Sequence, residues 1–230
     1  MEFLATKGLE YLLVIGYLLL FIPFWMLLQR GRPAEAEAEA HAAGAGVADT
    51  ARARWFDIPE DRLFHRGHAW ARPEGDGVFA VGLDDFAGKL LGRPDALKLP
   101  VAGQAVEAGS KAWAMEIDGS LLGMLSPVTG RVLDVNPDAL GNPGLVADDP
   151  YGRGWLMKVR VPRGDTAVNN LLTAALARTW TDEAADRLLR AASPELGTVL
   201  QDGGVPVLGI AREVSPDGWK RLASELLLTS

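Results

Sequence analysis

The chain has 230 residues, of which 48% are hydrophobic and 23% charged, enough for one sizeable globular core with additional segments. Its 23 Lys and Arg residues face 30 Asp and Glu residues, and the net charge of −7 without a basic cluster argues against a nucleic-acid partner. The chain contains no cysteine, which excludes disulfides, thiolate metal sites, cysteine-ligated iron–sulfur clusters and a cysteine nucleophile.

The first element in chain order is an uncharged apolar run, residues 11–28, whose length suits a helix that crosses a bilayer. We predict a transmembrane anchor over residues 1–30, with an aromatic residue at each interface, a proline near one end, a glycine that lets a neighbouring helix approach, and an arginine at the return to water. These membrane residues are Tyr11, Gly16, Pro23, Trp25 and Arg30. A buried core helix and a cleaved signal peptide are the alternatives, but the run lacks a polar face and is long for a signal peptide.

Positive charge is concentrated after the apolar run, where four arginines follow within residues 30–54, whereas Lys7 precedes it. The positive-inside tendency therefore predicts a single-pass protein of the bacterial inner membrane, with its amino terminus outside and its carboxy-terminal part in the cytoplasm. The lipid bilayer is accordingly an expected partner.

Two composition changes follow the anchor. Residues 31–54 are rich in Ala, Glu and Gly and read as a linker that cannot build a core. Residues 55–164 contain short β-type runs between Gly, Pro, Asp and Asn, which predict a small antiparallel sandwich or barrel. One helix is expected within it at "LDDFAGKLLG", capped by Asp84 or Asp85 and ended by Gly92.

Residues 165–230 form a predicted α+β extension of helix, hairpin and helix. Apolar residues at helical spacing define the buried face expected for its first helix: Leu171, Leu172, Ala175, Leu176, Trp180, Ala184, Leu188 and Leu189. Pro194 breaks this helix, two short strands are expected around residues 202–204, and Asp217 is a possible cap of the last helix. The extension either packs on the sandwich or docks onto another subunit.

Several linked motifs carry a family resemblance. "HRGHAWARPEGDGVFAVGLDDFAGKLLG", "LPVAGQAVEAG", "SPVTGRVLDVN" and "DDPYGRGWLMKV" follow one another between about residues 60 and 162. The segment resembles the H protein of the glycine cleavage system, a hammerhead lipoyl domain related to biotinyl domains. The fold expected is therefore mainly β with some α: a lipoyl-type β-sandwich, or barrel-sandwich hybrid, between the anchor and the extension.

The resemblance also implies where a prosthetic group would be attached. In that family a lysine seven residues before the serine of the Ser-Pro-Val segment receives lipoate. Counting back from Ser126 reaches Gly119, and Glu116 falls where the family has a glutamate. The neighbouring Asp118 makes an Asp-Gly pair, a strong type I′ turn signal. We therefore expect no lipoate and no other cofactor, with the fold retained as a scaffold.

Other polar residues give no catalytic or metal site. His65 and His68 form a His-x-x-His pair, but two imidazoles without further ligands do not close a metal site, and a structural or surface role is expected. Two pairs of adjacent aspartates lie at turns and are expected to be solvated or capping, and Ser126 lacks a nucleophile motif and is expected to be a turn residue. The aspartate pairs are Asp84 with Asp85 and Asp148 with Asp149.

Two classes of function remain open on the sequence. The first is a non-catalytic, membrane-anchored scaffold subunit that binds other subunits on the cytoplasmic face of a multisubunit membrane complex. Membrane-anchored H-like proteins without the lysine resemble accessory subunits of bacterial respiratory or photosynthetic electron-transfer complexes. The second is a membrane-bound regulator or degenerate carrier that acts with lipoate-dependent or glycine cleavage enzymes. The sequence names neither the complex nor the contacting surface.

Overall fold

The computed structural model describes residues 55–163, 167–191 and 206–229, together with residues 17, 20 and 21. The chain forms two units, residues 1–49 and 50–230. In the first, Tyr17, Leu20 and Phe21 are helical and exposed, and the rings of Tyr17 and Phe21 stack with centroids 5.4 Å apart. Within the described ranges, no helix combines the length and apolar character needed to span a membrane. The predicted membrane residues (Tyr11, Gly16, Pro23, Trp25 and Arg30) and the linker lie outside the described residues.

The second unit is built mainly from short strands joined by tight turns. The strands are β1 (Leu63–His65), β2 (Ala69–Gly75), β3 (Val78–Leu83), β4 (Ala96–Lys98), β5 (Ala105–Val106), β6 (Lys111–Ile117), β7 (Ser120–Leu125), β8 (Gly130–Val135) and β9 (Met157–Arg160). The α-helices are α1 (Asp85–Leu91), α2 (Pro137–Gly141), α3 (Leu145–Asp148), α4 (Ala174–Ala191), α5 (Ile210–Val214) and α6 (Trp219–Leu226), and a 3-10 helix covers Ala167–Asn170.

The strands form two antiparallel sheets. One has six strands in the order β1-β2-β3-β9-β8-β5, and the other has three in the order β4-β6-β7. Alternation along β6 buries Trp113, Met115 and Ile117 between the sheets, and Val81 and Val159 face them from the larger sheet within the same apolar core. The antiparallel β architecture expected from the sequence is confirmed.

Helix α1 begins and ends where the turn chemistry predicts. The Asp84 carboxylate accepts a hydrogen bond from the backbone N–H of Ala87 at 2.9 Å, and Gly92 ends the helix with a φ of 78°. Asp84, rather than Asp85, is therefore the cap, because its side chain reaches the free N–H groups of the first turn.

The C-terminal extension packs on the sandwich. Leu188 of α4, Ile210 and Val214 of α5, and Leu226 of α6 belong to the same buried core as the strands. The backbone N–H of Gly209 donates to the carbonyl of Lys89 at the end of α1. The described part of the extension thus packs on the sandwich, as the first of the two alternatives predicts.

The buried face of α4 differs from the face expected. Ala174 and Ala177 are buried, whereas Leu176 is 59% exposed and Ala175 is exposed; Ala184 and Leu188 are buried as predicted. Four alanines line the inner face, which lets the helix approach the core closely, while the larger Leu176 lies on the outer face. The expected face is therefore wrong for Ala175 and Leu176, near the start of the helix, and confirmed for Ala184 and Leu188.

Two further expectations for the extension are wrong in the described residues. The second predicted strand is absent there, because the chain turns at Leu208 and Gly209 and then enters α5; the first lies outside the described residues. Asp217 does not cap α6, since Gly218 is the N-cap residue and no side chain bonds the free N–H groups.

Candidate functional site

The tip of the β6–β7 hairpin is the position where the family resemblance places an attached cofactor. Ile117 pairs with Ser120 across a two-residue turn, in which φ is 49° for Asp118 and 68° for Gly119. Positive φ at both central residues is the signature of the type I′ turn, so the predicted turn is confirmed.

Hydrogen bonds hold Asp118 on two sides. Its backbone N–H donates to Oδ2 of Asp95 at 2.8 Å, and its carboxylate accepts from Nη1 of Arg212 at 3.1 Å. Asp95 follows α1 and donates its own N–H to the carbonyl of Glu116 at 2.8 Å, while Arg212 lies on α5. The turn is thus tied both to the sandwich and to the C-terminal extension.

The tip carries no primary amine. A Cβ atom built on Gly119 would meet nothing within 4 Å, so the position is open to solvent, and Glu116 is half-buried on the outer face of β6. Among the described lysines, Lys111 begins β6 at the end opposite the turn. Lys89 donates to Asp85 at 2.7 Å, and Lys158 pairs with Glu74 at 2.7 Å.

The His-x-x-His residues do not converge on a common site. His68 is fully buried, its Nδ1 lies 2.8 Å from Oδ2 of Asp84, and its ring stacks on Phe86 with centroids 4.3 Å apart. His65 is half-buried, and its Nδ1 accepts a hydrogen bond from the N–H of Gly67 at 3.0 Å. Within the described ranges, no three His, Asp or Glu side chains are grouped to hold a metal ion.

Burial lowers the pKa of His65, and the nearby His68 and Arg66 lower it further. The imidazole is therefore neutral near pH 7. Because Nδ1 is the acceptor of the Gly67 bond, the proton of the neutral ring resides on Nε2.

The adjacent aspartates have structural roles, but the expectation that they are solvated or capping is wrong for Asp85, which is buried. Asp85 accepts from Lys89 and from the N–H of Asp57, and Asp148 pairs with Arg93 at 2.9 Å. Asp149 accepts from the N–H groups of two following residues, Gly152 and Arg153.

Ser126 donates its hydroxyl to the carbonyl of Val128 at 2.7 Å and is a buried turn residue.

Two polar residues of the interior were missed by sequence reasoning. The hydroxyl of Tyr151 donates to the carbonyl of Asp57 at 2.6 Å and accepts from the N–H of Asp85, and burial raises its pKa. The buried guanidinium of Arg62 lies 4.7 Å from the ring centre of Trp70 and 4.8 Å from that of Tyr151. Both positions lie within or beside the quoted motifs, but Tyr151 lies 89 residues beyond Arg62 in the chain.

The glycine cleavage H-protein family model matches residues 62–184. The chain belongs to the glycine cleavage H-protein family. It is 40% identical over 121 residues to the glycine cleavage system H protein of Mycobacterium tuberculosis, covering 52% of this chain and 90% of that protein. It is 41% identical over 104 residues to the one from Alteromonas mediterranea, covering 45% and 81% respectively. The crystal structure of the Mycobacterium marinum H protein matches with a TM-score of 0.48 and 32% identity over 56% of this chain and 99% of that one.

The matched residues contain the complete β-sandwich and the hairpin with its Asp118–Gly119 turn. Helices α5 and α6, together with Arg212, lie beyond them. Of the two hydrogen bonds that hold Asp118, the one from Arg212 therefore comes from a segment that the H-protein family model does not cover.

Proposed function

We propose that this member of the H-protein family is a non-catalytic, membrane-anchored scaffold subunit, and that its sandwich binds the cytoplasmic face of a larger membrane complex. The observation that carries the proposal is the hairpin tip, where the Asp118–Gly119 turn offers no amine and is bonded to Asp95 and Arg212.

A cofactor carrier has different requirements at this tip. It needs a flexible primary amine at an exposed turn, so that the attached arm reaches several partner enzymes. Here Asp118 and Gly119 form the turn and carry no amine, and the described lysines lie elsewhere in the fold. The fold around the tip is nevertheless complete, and a role that depends on shape accounts for both facts.

The anchor supplies the second part of the proposal. The apolar run of residues 11–28 contains no Asp, Glu, Lys, Arg or His, so a single helix of this kind has no carboxylate, amine or imidazole with which to relay protons or line an ion path. Lateral packing against other membrane helices, with Gly16 at a close contact, is the role that fits. A linker between two weak contacts raises the effective concentration of the second and strengthens retention by roughly 10²- to 10⁴-fold.

The class of complex follows from the resemblance alone. Membrane-anchored H-like proteins without the lysine resemble accessory subunits of bacterial electron-transfer complexes, respiratory or photosynthetic. We accordingly place the proposed partner among such complexes of the bacterial inner membrane.

Co-purification tests the scaffold role. The full-length protein, tagged at its carboxy terminus and extracted in mild detergent, should bring down a fixed set of membrane subunits in stoichiometric amounts. A variant that lacks residues 1–30 is the matched comparison and should retain few or none of them. Migration of the full-length protein as a lone monomer would overturn the proposal.

Topology is tested separately. Protease added to right-side-out vesicles should leave residues 55–230 uncut, and detergent lysis should expose them to cleavage. Cleavage before lysis would place the sandwich on the outer face.

A second candidate is a membrane-bound regulator of lipoate-dependent or glycine cleavage enzymes. It is favoured by the match to the M. tuberculosis H protein, which covers 90% of that protein at 40% identity. A match of this extent favours a shared surface for contact with the family's enzymes. Recovery of such enzymes, instead of membrane subunits, in the same co-purification would select this candidate.

A further inference from the structure

A cleft of about 470 Å³ lies where the sandwich meets the C-terminal extension. Its polar lining comes from His65, Arg66 and Asn170, and its apolar lining includes Pro127, Leu171 and Leu228. The volume lies within the range of roughly 300–1,000 Å³ that is typical of small-molecule sites. We propose that this cleft binds a small monocarboxylic acid, with the carboxylate at His65 and Arg66 and a short aliphatic body against the apolar wall.

The polar end presents donors to an anion. Nδ1 of His65 already accepts the bond from the N–H of Gly67, which leaves Nε2 as the donor nitrogen of the neutral ring. Arg66 adds a permanent positive charge and Asn170 an amide. The cleft-lining residues include no acidic side chain, although the whole chain has a net charge of −7. Local charge therefore favours an anion over a cation.

The position of Arg66 is held by its neighbours. Its guanidinium lies 5.7 Å from the ring centre of Trp180, and its carbonyl accepts a hydrogen bond from Nε1 of Trp180 at 3.0 Å. Helix α4 thus fixes the turn between β1 and β2 that carries Arg66, next to His65 at the end of β1. The Arg66 side chain is exposed and therefore accessible to a carboxylate, with which a guanidinium can form two parallel hydrogen bonds.

The apolar end requires a ligand with some hydrocarbon. Leu171 is 8% exposed and forms a buried wall, Pro127 belongs to the turn closed by the Ser126 hydroxyl, and Leu228 is 42% exposed at the mouth. An inorganic anion would leave the exposed Leu228 side chain in contact with water, whereas a short aliphatic chain would cover part of it. Leu228 lies beyond residues 62–184, so this part of the cleft is outside the segment matched by the H-protein family model.

Histidine-ring NMR of the full-length protein in lipid nanodiscs tests the site directly, because the chain has only three histidines. Butanoate should shift the His65 ring signals saturably with a Kd on the order of 1 mM. It should also raise the pKa of His65, since a nearby anion favours the charged imidazole. The signal of His41 is the internal control and should stay unchanged.

Matched ligands and variants decide between explanations. Butan-1-ol and inorganic phosphate should each bind at least several-fold more weakly than butanoate. Arg66→Gln should weaken butanoate binding roughly tenfold, the factor for about 1.4 kcal/mol, and Leu228→Ala about threefold. Arg93→Gln, an exposed arginine paired with Asp148, should change nothing. A non-saturating shift, equal responses to butan-1-ol or phosphate, or equal effects of Arg93→Gln and Arg66→Gln would overturn the proposal.

Discussion

Nη1 of Arg212 lies 3.1 Å from Oδ2 of Asp118, so helix α5 of the extension meets the tip of the β6–β7 hairpin. The preceding Gly209 has a φ of 83°, and a Cβ at that position would lie 2.5 Å from the Arg212 guanidinium. The glycine therefore both turns the chain into α5 and leaves room for the arginine. The extension is a structural partner of the tip.

The coupling between these two residues should be small. Their side chains are 32% and 62% exposed, and ion pairs of this exposure contribute roughly 0.2–1 kcal/mol. A double-mutant cycle of Asp118→Asn and Arg212→Gln, followed by urea unfolding, should give a coupling energy within that range. Asparagine keeps the turn preference, so the cycle isolates the charge. A coupling of zero would show that this pair does not help to hold the extension at the tip.

Substitution of Gly119 should cost conformational energy alone. Gly119→Ala places a Cβ at a φ of 68°, and the left-handed conformation costs a non-glycine residue roughly 1–2 kcal/mol. No atom lies within 4 Å of that Cβ, so no steric clash adds to the cost. Gly141→Ala is the control, since its Cβ also meets nothing but its backbone is helical. Urea unfolding should show a loss for the first variant and none for the second, and equal effects would refute the type I′ assignment.

Substitution of Asp84 should destabilise the protein more than substitution of Asp148. Asp84→Ala removes the cap of α1 and leaves Nδ1 of the buried His68 without a partner, at a combined cost of about 2–4 kcal/mol. Asp148→Ala removes only the exposed pair with Arg93 and should cost less than about 1 kcal/mol. Thermal and urea unfolding of the two variants should show this order, and the reverse order would contradict the assigned roles.

The pKa of His65 predicts a pH dependence of stability. In the folded protein it lies below the ordinary value of 6.5, so between these two values the unfolded chain binds a proton that the folded protein does not. The free energy of unfolding should therefore decrease as the pH falls through 6.5 towards the folded pKa. Urea unfolding across this window should show a weaker slope for His65→Gln than for the parent protein. An unchanged slope would mean that His65 does not contribute to it.

Features set by neighbouring residues were predictable from the sequence. The Asp118–Gly119 turn and the Gly92 end of α1 each depend on the chemistry of a few adjacent residues, and both were predicted correctly. The cap of α1 was narrowed to Asp84 or Asp85, and the structure selects Asp84. The motifs also led to the right family, because they span the whole sandwich in order.

Features set by distant contacts were not predictable in the same way. Helix α5 replaces the expected strand where Gly209 donates to the carbonyl of Lys89, a partner 120 residues earlier in the chain. The buried guanidinium of Arg62 likewise lies 4.8 Å from the ring centre of Tyr151, a residue 89 positions later in the chain. Tertiary packing decides such positions, and propensity gives no signal for them.

The central claim is that the H-protein fold serves here as a scaffold without a prosthetic arm. Intact-mass analysis of the full-length protein, isolated from the cells that produce it naturally, tests this most directly. The account predicts the mass of the unmodified chain, because the hairpin tip presents Asp118 and Gly119 in place of an amine. A lipoyl adduct on any lysine would contradict it.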